Sequence, residues 1–429
     1  MNNKRNLKPP LSITRKSNHE GYESHNRLIT TKMGNVEKIL PKEICRILDT
    51  CGSCSLLNED YKTQLLLKSA RLKEHFKELG SSLPQVVVQH FVESSEKLAY
   101  RQSVKLVVSE HFVNGKPWID IGFYRQSLNK IVDIGNCPIQ NSILNDIMYY
   151  LRSALKNFKI PIYSPKRKTG ILSGLILRSS RSTKQTFVTL LVRELKPALF
   201  RELACNLIEK FSHVQGVFLQ LENPEMNQKD SGTVLVAGAD IIEEKFGTLN
   251  FKLSCDVELP IHPIMTSKVF SRVIELCELT GTQTVLHLYS GMGALSCLLA
   301  KQARMVYALD EKNSYVKNTE LNLKFHNIKN VHVECGKISK TLPAITPSLQ
   351  TCEAIIITAP RSGIDTSLIE TVTKLSPKHI IFVSSFHEHM GSDLKVFAQN
   401  NYTPLFVEPF DTHPGTPYFE VLCYLKKSA

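Results

Sequence analysis

Hydrophobic positions along this chain keep two different rhythms, and the change falls near residue 260. Before it, NEDYKTQLLLKSARLKEHFKEL (58–79) carries apolar residues at helical spacing, with Gly80 as its stop. KLAYRQSVKLVVSE (97–110), PWIDIGFYR (117–125) and KIVDIG (130–135) alternate like antiparallel strands, with NGKP (114–117) as the turn between the first two. NSILNDIMYYLRSALKNF (141–158) predicts a helix, GILSGLILRSS (170–180) and QTFVTLLVREL (185–195) paired strands, and ALFRELACNLIEKFS (198–212) another helix. The sum is a mixed α+β region.

Beyond it, SKVFSRVIELCEL (267–279) predicts a helix. TVLHLYSGMGALSCLLA (284–300), MVYALDEKNSYVKNTELNLKFH (305–326), NVHVEC (330–335), AIIITAPRSG (354–363), HIIFVSS (379–385) and YFEVLCYLKK (418–427) follow. Short strands apolar on both faces alternate with helices, the pattern of a doubly wound parallel sheet. The final strand is expected to be an antiparallel hairpin partner at the sheet edge. The chain has no internal repeat.

A length of 429 residues predicts two or three domains. No apolar run reaches the roughly 18 residues of a membrane span, and the N-terminus lacks a signal-peptide core. The expected compartment is the cytoplasm, with no membrane partner and a monomeric chain. Residues 1–44 read as a basic, poorly ordered tail.

The net charge of +13 matters less than its distribution. Between Met148 and Arg193 there is no Asp or Glu. Arg152, Lys156, Lys159, Lys166, Arg167, Lys168, Arg178, Arg181, Lys184 and Arg193 supply ten positive charges there. Surfaces ordinarily mix signs, so the stretch points to a polyanion partner over a merely solvated face.

Of eleven cysteines, seven (Cys205, Cys255, Cys277, Cys297, Cys335, Cys352, Cys423) stand singly in apolar contexts and read as core residues. The other four differ. CRILDTCGSC sets Cys45, Cys51 and Cys54 close together, with Gly52 freeing the backbone to turn, and IVDIGNCPIQ adds Cys137 before a proline. Four such thiolates suit zinc or an iron–sulfur cluster, and ordinary free thiols are the bland alternative.

VLHLYSGMGALS is a strand, Gly291-x-Gly293, then a helix. Glycines let the backbone approach a ligand, and Asp310, ending the next strand, has the position of a ribose-binding acid. Ser296 stands where a third glycine would complete G-x-G-x-x-G, which favours S-adenosylmethionine over NAD. An ordinary glycine-rich turn is the alternative.

Together these residues resemble the S-adenosylmethionine-dependent RNA uridine-5-methyltransferases, which act on tRNA and large-subunit ribosomal RNA. The likeness runs from Cys45 to the C-terminus. The cysteine array with IGFYRQSLNKIVDIGNCPI is similar to members carrying a [4Fe–4S] cluster. LHLYSGMG resembles the family's D-L-Y-C-G-x-G, APRSG its D-P-P-R-x-G, FVSSFHEHMGSDL its Y-V-S-C-N-P-x-T-x-A-R-D-L, and FDTHPGTPYFEV its closing D-M-F-P-H-T-x-H-x-E. The resemblance implies a Rossmann-like class I methyltransferase domain at 261–429, preceded at 45–260 by an α+β RNA-contacting domain with a four-cysteine cluster loop. It also implies cofactor contacts at Tyr289, Gly291, Gly293, Asp310 and Thr358, and substrate contact at Arg361. Only 44 residues precede Cys45, too few for the N-terminal barrel many members carry.

In that family a Cys thiolate adds to uracil C6, C5 then takes the sulfonium methyl, and a carboxylate removes the C5 proton. The nucleophile's position here is Ser385, with Glu420 as the carboxylate. A hydroxyl is far harder to ionise than a thiol, and His387 is the candidate base beside it. Other positions depart too: the acid of D-P-P-R is Thr358, the first acid of the glycine motif is His287, a family Gln is Pro260, and the Asn after the nucleophile is Phe386. Two functions follow: uridine methylation with altered chemistry, or a catalytically inactive relative that binds structured RNA in ribosome or tRNA assembly.

Overall fold

The computed structural model describes residues 44–78, 86–124, 131–222, 232–349, 351–385 and 387–427. The basic tail and the Gly80 stop lie outside them. Two sheets carry the architecture. The first has the order β4-β3-β2-β5-β6-β7-β8, from β2 (Ser103–Val113), β3 (Lys116–Tyr124), β4 (Ile131–Asp133), β5 (Leu172–Ser179), β6 (Thr186–Val192), β7 (Val214–Leu221) and β8 (Thr233–Gly238). Its neighbours are antiparallel except for β6 and β7. Asn114 and Gly115 take φ of 51° and 74° at the β2–β3 turn, the backbone a tight hairpin needs.

Helix α2 (Ser142–Asn157) starts where the Asn141 side chain accepts the Ile143 N–H at 3.1 Å. It buries Leu144, Ile147, Met148, Leu151 and Leu155 at helical spacing against that sheet. Helix α3 (Pro197–Lys210), opened by proline at its first position, buries Phe200, Leu203 and Leu207 in the same core.

The second sheet has the order β1-β16-β17-β15-β14-β11-β12-β13, where β1 is Val87–Val88, β16 Tyr402–Phe410 and β17 Glu420–Lys427. Its parallel part is β11 (Thr284–Leu288), β12 (Met305–Asp310), β13 (Val331–Cys335), β14 (Ala354–Thr358) and β15 (His379–Ser384). Every residue of β11 and β15 is buried, as expected of strands covered on both faces. Ile355 and Ile357 of β14 face one core with α8 (Thr366–Lys374) and α9 (His387–Gln399), and Ile356 faces the other with α4 (Pro263–Leu276) and α5 (Ala294–Leu299). The remaining helices α6 (Asn313–Phe325) and α7 (Ile338–Ile345) complete the alternation.

Two arrangements differ from the sequence reading. The final strand, β17 (Glu420–Lys427), is not at the edge: it lies antiparallel between β15 and β16 (Tyr402–Phe410). The physical reason is its apolar run, Val421–Leu425, buried on both faces. Also, α1 (Tyr61–Glu78) and β1 (Val87–Val88), which precede residue 260, pack on the later sheet: Leu72 enters its core and β1 pairs in parallel with β16. A hairpin, β9 (Ile241–Phe246) and β10 (Leu249–Ser254), leans on α6, where Asn318 and Asn322 accept the Ser254 and Lys252 N–H groups at 3.0 and 2.8 Å.

Among the described residues, no helix is long and apolar enough to cross a membrane.

Candidate active site and cysteine recess

The carboxyl ends of the parallel strands gather most of the residues singled out by the sequence. After β11 the chain turns through Tyr289, Gly291 and Gly293 with φ of 57°, 59° and 80°. A side chain on Gly293 would meet Thr319 Oγ1 at 2.4 Å, so this glycine lets α5 pack against α6. A Cβ on Gly291 would meet nothing within 4 Å, leaving that side of the loop open to a ligand. Asp310 accepts the Gly291 N–H at Oδ2 (2.8 Å) and the Lys312 N–H at Oδ1 (2.9 Å). Burial raises its carboxyl above the ordinary aspartate range, and those N–H groups oppose the rise. Each oxygen keeps a lone pair for a hydroxyl.

Two departures from the family motifs, His287 and Thr358, join Ser296 in one network. His287 is buried on β11, its Nδ1 2.8 Å from Ser296 Oγ and its Nε2 3.2 Å from Thr358 Oγ1. Burial pushes the ring down to about 3, so it is neutral at physiological pH and can donate through one nitrogen while accepting through the other. Where the family motifs have carboxylates on two adjacent strands, this chain has an uncharged staple joining β11, α5 and β14.

Ser385 follows β15 and is exposed, and its hydroxyl donates to Glu420 Oε1 at 3.3 Å. The pairing of Ser384 with Val421 across β15 and β17 sets that approach. Burial raises the Glu420 carboxyl above its ordinary value, with the Ser385 hydroxyl opposing. No other thiol of this half takes the missing sulfur's place. Cys277, Cys297, Cys352 and Cys423 are buried, and exposed Cys335 pairs with Asp310 at the end of β13, four strands away from β15. Phe386 and the His387 side chain lie outside the described residues. Arg361 is exposed after β14, near enough to help hold the buried His413 ring down at about 3, where burial is the main cause.

Two acids here were not singled out by the sequence. Asp393 of α9 is 7% exposed, its Oδ2 has no hydrogen-bond partner, and burial pushes it up to about 6. The folded chain therefore holds a proton that the unfolded chain releases, and stability falls as pH rises from about 4 through 6. Asp393→Asn is expected to raise stability at neutral pH by about 2 kcal/mol, with the gain vanishing below about pH 4 in thermal melts. Asp411, fully buried at the start of the closing segment, accepts Lys68 of α1 at 2.6 Å. The Lys68 ammonium also donates to the His413 and Tyr418 carbonyls, both at 3.1 Å.

The four singled-out cysteines share one recess. Cys45, Cys51, Cys54 and Cys137 line it with Ile47, Leu48, Phe123 and Arg101, around about 380 Å³ of atom-free space including its mouth. Gly52 ends the one-turn helix Leu48–Cys51 at φ 69°. Burial, then the neighbouring Cys137, push the Cys54 thiol up to about 12. Among the described residues no group of three or more His, Cys, Asp or Glu side chains is arranged to hold a metal ion. The donor set that lines the recess is chemically soft, four cysteines within one wall.

The acid-free stretch divides in the fold. Arg152 pairs with Asp133 at 2.7 Å, Arg181 pairs with Glu96, and Arg178 and Arg193 donate to the Cys255 and Glu222 carbonyls at 2.7 and 2.8 Å. The Asp133 and Glu96 carboxylates lie outside the acid-free stretch, so the apparent excess is partly cancelled. Lys156, Lys159, Lys166, Arg167, Lys168 and Lys184 stay exposed.

Residues 261–428 match the family model described as tRNA (Uracil-5-)-methyltransferase. The chain is 26% identical to an uncharacterised RNA methyltransferase of Clostridium acetobutylicum, over 90% of this chain and 83% of that one. It is 27% identical to another from Listeria innocua, over 92% and 86%. A Pyrococcus abyssi tRNA (uracil-54, C5)-methyltransferase, solved with S-adenosyl-L-homocysteine, superposes with a TM-score of 0.69 at 20% identity, covering 87% of this chain and 85% of that one. At that identity the likeness concerns the fold.

Proposed function

We propose that the chain, whose residues 261–428 match the tRNA (Uracil-5-)-methyltransferase family model, belongs to that family, binds S-adenosylmethionine and seats a uridine of a structured cytoplasmic tRNA or ribosomal RNA over Ser385 and Glu420. The observation that carries this reading is the hydrogen bond from Ser385 to Glu420 at 3.3 Å, after β15 of the sheet whose β11 leads into the open glycine loop. Tyr289, Gly291 and Gly293 shape the loop, Asp310 would take the donor's ribose hydroxyls, and Thr358 would line the donor site. The bound donor supplies a methyl on a positively charged sulfur. Arg361 and the exposed lysines of the central region hold the RNA phosphates, so binding weakens steeply with salt. Glu420, with its raised carboxyl, is suited to accept the proton from C5.

A second reading has specific support. The oxygen at Ser385 and the uncharged His287–Ser296–Thr358 network favour a protein that binds RNA and donor but transfers methyl poorly or not at all. Labelled S-adenosylmethionine incubated with total RNA separates the two. Methyl transfer by the unaltered chain rules out pure binding. Failure of S-adenosylmethionine to bind in calorimetry, where Asp310→Ala serves as the control, would count against the glycine loop as a donor site.

For the cysteine recess we propose a [4Fe–4S] cluster held by Cys45, Cys51, Cys54 and Cys137. The support is the grouping of four thiols in one largely apolar recess. Anaerobically reconstituted protein is expected to absorb broadly near about 400 nm, and Cys51→Ser to lose that band. Stoichiometric zinc without iron, measured by elemental analysis of protein purified without added metal, would overturn the cluster.

A further inference from the structure

One charged side chain besides the cysteines stands in the wall of the recess: Arg101. Backbone pairing fixes its place. Ala99 and Arg101 donate to the Pro138 and Ile139 carbonyls at 2.9 and 2.8 Å, and Asn141 donates to the Arg101 carbonyl at 3.0 Å. In an extended segment neighbouring side chains point opposite ways. Tyr100 reaches the closing segment, its hydroxyl donating to the Pro414 carbonyl at 2.9 Å while its ring stacks on His262 at 4.9 Å. Arg101 faces the cysteines, close enough for its charge to act on Cys54 and Cys137, and its Nε is buried without a partner. The same charge acts on His413.

A second set of contacts joins the two regions. Leu56 donates to the Gly415 carbonyl at 3.1 Å, and a Cβ on Gly415 would stand 2.9 Å from Leu57 Cδ1. The cysteine loop is thus the floor on which the segment leading to Glu420 rests. An iron–sulfur cube with four thiolates is an anion, and a buried anion needs a counter-charge.

We propose that Arg101 is the counter-charge of the metal centre and links its presence to the closing segment. The proposal rests on the reading of the four cysteines as cluster ligands. With the cluster bound, the guanidinium is neutralised from the recess side. Without it, an uncompensated cation faces His413 beneath the Tyr100–Pro414 contact.

The test uses the full chain reconstituted anaerobically with ferrous iron and sulfide, then challenged with a ferrous chelator. Iron release from Arg101→Gln is expected to be about tenfold faster than from wild type, or more. Arg101→Lys, which keeps the charge, should stay close to wild type, and this rescue separates charge from a folding defect. Hydrogen exchange at Gly415 and Thr416 should rise when the wild type is stripped of iron and should not respond in Arg101→Gln. Equal release rates from wild type and Arg101→Gln overturn the counter-charge while leaving the cysteines as ligands. A wild-type chain that takes up no iron overturns both.

Discussion

Ser385→Cys is expected to raise methyl transfer to uridine by on the order of a thousandfold over the unaltered protein, assayed with labelled S-adenosylmethionine and RNA. The argument is one of ionisation. A thiol near pKa 8.5 is partly thiolate at neutral pH, while a serine hydroxyl is many units weaker as an acid. Glu420, 3.3 Å from the Ser385 hydroxyl, is too weak a base to remove that proton, even with its carboxyl raised by burial. A sulfur at this position would attack C6 while Glu420 remains free to take the C5 proton. RNA carrying 5-fluorouridine gives a second readout, because fluorine at C5 cannot leave as a proton does. Ser385→Cys should form a complex that survives denaturing electrophoresis, and the unaltered chain should not. Equal transfer by both proteins would mean that the hydroxyl is competent as it stands.

The second large effect concerns Lys68. Its three ammonium protons are all used, on Asp411 and on the His413 and Tyr418 carbonyls, and neither charged group reaches water. Lys68→Met would leave the Asp411 carboxylate buried without its counter-ion and two carbonyls without their donor. Removing one partner of such a pair destabilises by about 3–5 kcal/mol. Replacing both, as Lys68→Met with Asp411→Leu, should recover most of the loss, since well-packed apolar groups often match a buried ion pair. Thermal melts of the two variants decide the matter. A single variant within about 1 kcal/mol of wild type would show that water reaches the pair.

How much of this was legible in the sequence depended on whether a feature is local. The β11 strand, the positive-φ glycines and the cysteine grouping show as short patterns, because their causes lie within a few residues. The strand β17 reads equally well as an edge or an interior strand, since an apolar run does not say which neighbours cover it. Its insertion between β15 and β16 is decided by pairing with residues remote in sequence. The arginines at 152, 178, 181 and 193 looked unopposed for the same reason, their partners at Asp133, Cys255, Glu96 and Glu222 lying outside the acid-free stretch. His287 and Thr358 were visible as departures and Ser296 as the residue in place of a third glycine, but only the fold makes them one network. Asp393 carried no signal beyond its place in a motif.

The interior position of β17 also bears on how the chain is made. Every other strand of its sheet precedes it in the sequence, so β15 and β16 must wait, unjoined and with open edges, until residues 420–427 have left the exit tunnel. Removing residues 420–427 would therefore separate β1 and β16 from the five parallel strands and leave both new edges open.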